Sequence, residues 1–119
     1  MDKDKLGKKA EDITLRELED RGYQLLDRNW QFGHKELDLV MLDGDELVVV
    51  EVKSLRSVVY GNPIDHVNQK KERNIIDAAD AYIIEKDLNN PVRFDVVEVV
   101  FSGEEYIINH IPGAFTPLF

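Results

Sequence analysis

The stretch Glu36 to Lys53, ELDLVMLDGDELVVVEVK, limits the possible folds more than any other part of the chain. It reads as two β-strands and a tight turn. Leu37 to Leu42 is the first strand; Leu47 to Lys53 is the second, rich in the β-branched residues that suit a pleated surface. Asp43-Gly44-Asp45 is the turn signal, because glycine accepts positive φ and aspartate is favoured beside it. Side chains alternate between the faces of a strand. Glu36 and Asp38 therefore share one face of the first strand, and Glu51 and Lys53 share one face of the second. A loop of Asp43-Gly44 pairs Leu42 with Asp45 and sets Glu36 opposite Glu51. A loop of Asp43 to Glu46 pairs Leu42 with Leu47 and sets Asp38 opposite Glu51. Both even-length loops bring all four charges to one side; an odd-length loop does not.

Three acids and a lysine crowded on neighbouring strands repel when buried together. A divalent cation such as Mg²⁺ or Mn²⁺ removes that cost, because it takes carboxylate oxygens as ligands. Asp38 and Glu51 are the candidate metal ligands, with the backbone carbonyl of Val52 as a further oxygen. Lys53 beside them could orient or deprotonate water, or stabilise charge developing on a phosphate. The competing expectation is a solvated ladder of ion pairs with no chemistry.

Asp38 followed by Glu51-Val52-Lys53 resembles the D…(D/E)xK signature of the restriction-endonuclease-like superfamily. The fuller pattern is Arg28-Asn29-Trp30, His34-Lys35-Glu36-Leu37-Asp38-Leu39 and Val50-Glu51-Val52-Lys53. It resembles the YraN-like family of small bacterial proteins, which is grouped with archaeal Holliday-junction resolvases. The resemblance implies a metal-dependent nuclease-like core acting on DNA, including branched DNA. It also implies a supporting site role for Glu11, since an early-helix glutamate of that family points toward the metal site. On its residues alone Glu11 reads as an ordinary surface glutamate. Glu36 would tune or complete the same site.

The chain has 119 residues and reads as one domain spanning 1–119. It has no cysteine, so disulfides and thiolate metal sites are excluded. The start, MDKDKLGKKAED, lacks the apolar run of a secretory signal, and no stretch approaches the ~20 apolar residues of a membrane span. The expectation is a cytoplasmic protein with no membrane partner. The net charge of −9 argues against indiscriminate DNA binding. Between Lys53 and Arg73, however, five cations (Lys53, Arg56, Lys70, Lys71, Arg73) face two acids, Asp65 and Glu72. Arg56, Lys70 and Lys71 are the candidate contacts to a phosphate backbone. Lys71 also matches a lysine of the family's pattern counted from Val67. The alternative for these lysines is a solvated helix face.

The remaining elements follow from periodicity and breakers. Asp4 to Arg21 reads as a helix ended by Gly22, and Tyr23 to Arg28 as a strand. Asn29 to Lys35 reads as a loop whose Trp30 and Phe32 either stack on bases or cover the edge of the core. His34 reads as a phosphate contact or a surface residue. Ser54 to Asn62 reads as a loop with an apolar middle, Val58-Val59-Tyr60, suited to substrate or to the second subunit of a homodimer. Pro63 opens a second long helix to about Lys86. Val92 to Phe101 is a strong strand, with Asp95 in a structural role beside Arg93. Tyr106 to His110 is a last strand, and Ile111 to Phe119 an irregular tail. The order α-β-β-β-α-β-β predicts an α/β fold, a mixed central sheet flanked by helices, as in restriction-endonuclease-like proteins.

Overall fold

The computed structural model describes residues 3–56 and 69–117. Strands β1 (Gln24–Phe32), β2 (Lys35–Asp43) and β3 (Glu46–Arg56) form an antiparallel meander. β4 (Val92–Ser102) runs parallel to β3, and β5 (Glu105–Phe115) closes the sheet antiparallel to β4. The sheet order is β1-β2-β3-β4-β5. Helix α1 (Lys3–Asp20) covers one face; α2 (Gln69–Lys86) covers the other and lies in the crossover that a parallel pair requires. The expected element order and the mixed sheet between helices are both present. The expected helix start at Pro63, its residues Ile64 and Val67, and the loop segment from residue 57 onward lie outside the described residues.

Each face buries its own cluster. Leu39, Met41, Val48, Val50, Val97 and Val99 pack under Ala10, Ile13 and Leu18 of α1. Val40, Leu47, Val49, Phe94 and Val96 pack under Ile75, Ala78, Ala79 and Tyr82 of α2. The centre of β3 is buried on both faces, which is why its sequence is an unbroken apolar run rather than an alternating one. Gly33, Gly44 and Gly103 take φ near +64°, each first in a two-residue loop between paired strand ends, the pattern of a type II′ hairpin.

Three boundaries differ from expectation. β1 continues through Asn29-Trp30-Gln31-Phe32, expected as loop; its polar–apolar alternation is that of a strand, and Trp30 pairs with Leu37. β3 continues through Ser54-Leu55-Arg56, because β4 alongside supplies backbone partners as far as Phe101. β5 continues to Phe115, so the C-terminal segment 111–119 is not wholly an irregular tail. Its Pro112 is tolerated because β5 is an edge strand, where a missing N–H can face outward. Gly113 at φ +60° absorbs the accompanying register shift, and Phe115 stacks on Phe94 with ring centroids 5.1 Å apart.

Candidate functional site

The β2–β3 ladder pairs Asp43 with Glu46 and Leu42 with Leu47, and its last recorded pair is Leu39 with Val50. One step further, this register sets Asp38 opposite Glu51, one of the two arrangements open from the sequence. The strands part at that step. The Asp38 carboxylate takes the Val52 N–H (2.9 Å) and hydrogen-bonds to Glu51.

Alternation along β2 also breaks there. Leu37 packs on the α2 side and Leu39 on the α1 side, although they are two residues apart. Across from the break, Asn29 adopts φ +52°, a left-handed conformation that asparagine accepts more readily than most residues. The consequence corrects the expectation that Glu36, Asp38, Glu51 and Lys53 share one face. Glu36 leans toward α1, where its oxygens accept from Asn29 Nδ2 (3.2 Å) and Gln31 Nε2 (3.1 Å). Glu51 lies on the α2 side, with Lys71 Nζ 3.6 Å from its Oε1. Asp38 stands between them, in the gap where the two strands separate.

From the α1 side Glu11 completes the cluster. Carboxylate oxygens of Glu11, Glu36 and Asp38 all lie within 4.8 Å of one another. Glu11 accepts from Asn29 Nδ2 (3.1 Å) and Arg28 Nε (3.4 Å). Its helix position therefore points it at the strand break rather than at solvent. Burial pushes the Glu11 carboxyl upward, with Asp38 adding to the effect. Asp38 itself is pushed up to about 9, first by burial, then by its hydrogen bond to Glu51 and the charges of Glu51 and Glu36; the Val52 N–H pulls the other way. Glu51 is 6% exposed.

The acids open onto a cleft of about 440 Å³ lined by His34, Lys35, Glu36, Asp38 and Glu51 from the sheet. Lys70, Lys71, Asn74 and Ile75 line it from α2. Of the expected site residues, Glu11, Glu36, Asp38, Glu51, Lys70 and Lys71 are thus brought together. Lys53, half-buried on β3, and Arg56, exposed at its end, lie outside the cleft lining. Val52 meets Asp38 through its N–H. The sequence reading missed the contribution of Asn29 and Gln31, which hold the acids in place. Treating the segment as a loop hid it, although the alternation Asn29-Trp30-Gln31-Phe32 already puts both amides on one strand face.

The donor set is chemically uniform. Every group in the cluster is a hard oxygen ligand, the type that suits Mg²⁺ or Mn²⁺ and not a soft metal. The molecule thus defines an α/β protein with a carboxylate cleft where its central strand pair opens. A family model described as "Uncharacterised protein family UPF0102" matches residues 10–99. The UPF0102 protein of Phocaeicola vulgatus is 42% identical over 111 residues, covering 93% of this chain and 92% of that protein. The UPF0102 protein of Flavobacterium johnsoniae is 40% identical over 116 residues, 92% of this chain and 93% of that one. The UPF0102 protein of Stutzerimonas stutzeri is 40% identical over 111 residues, 92% of each. The chain belongs to the UPF0102 family, the group identified from the sequence as YraN-like.

Proposed function

We propose that the protein is a divalent-metal-dependent nuclease that hydrolyses phosphodiester bonds in DNA, including branched or otherwise structured DNA. The observation that carries this reading is the cluster of Glu11, Glu36 and Asp38 with oxygens within 4.8 Å, beside a Glu51 that is almost fully buried. Such a concentration of acid is costly to bury and matches the demand of a cation. Asp38 and Glu51 would hold Mg²⁺ or Mn²⁺, with the Val52 carbonyl as a further oxygen and Glu36 and Glu11 completing the shell. A metal bound there would supply Lewis-acid stabilisation of a phosphate and a more acidic water. Asn29, Gln31 and Arg28 fix the carboxylate orientations. Lys70 and Lys71 would position the phosphate backbone from α2, with Arg56 further along β3. Lys53 would act on the attacking water or the scissile phosphate.

One observation favours a second reading, a non-catalytic module that binds nucleic acid or protein on the same fold. The chain carries a net charge of −9, and Lys35 and Lys71 at the cleft are both paired with acids, Asp77 and Glu51. A single experiment separates the two. Labelled linear, single-stranded, flapped and four-way DNAs are incubated with Mn²⁺ or Mg²⁺ and either the intact protein or Glu51→Ala. Cleavage by the intact protein alone establishes the enzyme. If neither protein cleaves and calorimetry finds no Mn²⁺ binding, the module is the better description. Lys53→Met is expected to fold normally and abolish cleavage; undiminished cleavage would remove Lys53 from the chemistry.

A further inference from the structure

The two aromatic residues at the end of β1 have separate fates. Trp30 packs against Tyr82 of α2, ring centroids 5.1 Å apart and nearly perpendicular, and is committed to the core edge. Phe32, two residues on, occupies the same face of the strand but lies beyond the cover of α2. It is 48% exposed and belongs to neither core cluster. Its cross-strand partner is Lys35, whose Nζ reaches Asp77 on α2, so Phe32 stands on the α2 side, where the cleft opens. Lys35 and the adjoining turn residue His34 line that cleft, with Lys70 and Lys71 on its other wall. An exposed phenyl ring at a hairpin tip is poor for folding, since it leaves apolar surface in water. Flanked by cations, it suits a flat, apolar group attached to a polyanion.

We propose that Phe32 is a stacking platform for an unpaired base, and that it gives the cleft a preference for nucleic acid with single-stranded character over continuous duplex. The proposal rests on the nucleic-acid reading above and adds to it a strandedness and the residue that sets it. Within a duplex both faces of each interior base are already stacked; only an unpaired, splayed or terminal base can offer one to Phe32. The phosphates on either side of that base would lie toward His34, Lys35, Lys70 and Lys71.

The test uses binding, so it does not depend on cleavage. Fluorescence anisotropy is measured on a labelled thymidine single strand and on a duplex of equal length, with Ca²⁺ replacing Mg²⁺. Phe32→Ala is expected to weaken single-strand binding roughly tenfold, in keeping with the loss of one base–aromatic stack, and to leave duplex binding within about twofold. Phe32→Tyr should bind as the intact protein does, and Phe32→Leu, apolar but without a π face, should bind as weakly as the alanine variant. Ile84→Ala, an exposed apolar residue on the same helix as Tyr82 but outside the cleft lining, is the control and should change nothing. Unchanged single-strand affinity in Phe32→Ala, an equal loss on both ligands, or full recovery in Phe32→Leu each overturns the platform while leaving the nucleic-acid reading in place. If the intact protein binds neither ligand, that reading fails and the platform with it.

Discussion

Two aspartates flank the same strand, Asp95 buried and Asp38 half-buried, and their surroundings are opposite. Val50 of β3 pairs with Leu39 on one side and with Asp95 on the other; Asp38 adjoins Leu39. Asp95 is 0% exposed and fully answered: it accepts from Arg93 Nε (2.8 Å) and Nη2 (3.0 Å) and from the Gly113 N–H (3.0 Å), with His110 Nε2 at 2.7 Å. Burial raises its carboxyl, but these partners, Arg93 foremost, outweigh it and hold the group below the ordinary range. Asp38 has one backbone N–H and, for neighbours, Glu51, Glu36 and Glu11, and it moves the other way. Burial alone therefore does not decide what a carboxylate does. The partners decide: one aspartate ties the fold together, and the other, set among acids where the strands part, is driven to keep its proton.

The comparison breaks most visibly at Asp95. Asp95→Ala leaves the Gly113 N–H and His110 without their acceptor, while Arg93 keeps Glu46, Asp43 and Tyr23; it should cost about 3 kcal/mol, the upper scale for leaving a buried polar group unsatisfied, read from chemical denaturation. A loss below ~1 kcal/mol, the worth of one ordinary hydrogen bond, would mean the network is not the anchor its geometry implies. Next in size is metal. Mn²⁺ at about a hundred times its dissociation constant should add about 2.7 kcal/mol of stability to the intact protein and nothing to Asp38→Ala; equal stabilisation of both would move the ion elsewhere.

The pH dependence should separate the two sites by sign. Asp38 has a raised value, so between about pH 4 and 9 the folded protein keeps a proton that the unfolded chain releases, and stability falls as pH rises. Asp95 has a lowered value, so its contribution is present above the ordinary carboxylate range and is lost as pH falls through its folded value. Without metal, Asp38→Asn should raise the melting temperature at pH 8 by ~5 °C and lose its advantage near pH 4; parallel curves for variant and parent would sink this account. The smallest effect concerns a third aspartate, intermediate between the two. Asp27 accepts one hydroxyl, from Tyr82 at 2.7 Å, and Tyr82→Phe should cost about 1 kcal/mol in the same unfolding assay.

Much of this was legible from Glu36 to Lys53 alone. Apolar β-branched runs around Asp43-Gly44-Asp45 gave the hairpin, and a period of two put the acids near one another. The way they meet was not legible, because it depends on the break at Asp38 and Asn29, and that break answers to the end of the β2–β3 pairing and to the two helices above and below. Glu11 could be placed by family resemblance but not by pattern, since its partners Arg28 and Asn29 lie 17 and 18 residues away and come from another element. The extension of β5 past Pro112 was hidden for a related reason. A proline reads as a stop until the strand is known to lie at the edge of the sheet.

The sequence spacing of the two charge sites carries a kinetic consequence. Glu36, Asp38 and Glu51 belong to one hairpin, whereas Arg93 meets Tyr23 across 70 residues of chain. Local contacts close early because short loops lose little entropy on closure, and long ones close late. The hairpin acids Glu36, Asp38 and Glu51 are thus among the first groups of the molecule able to meet, and the contacts of Arg93 with Tyr23, Asp43 and Glu46 among the last. Substitutions in the hairpin should act on the rate of folding and those at Arg93 on the rate of unfolding, a division that stopped-flow measurements read directly. The strand pair that gathers the repelling charges is then also the piece around which the chain first takes shape.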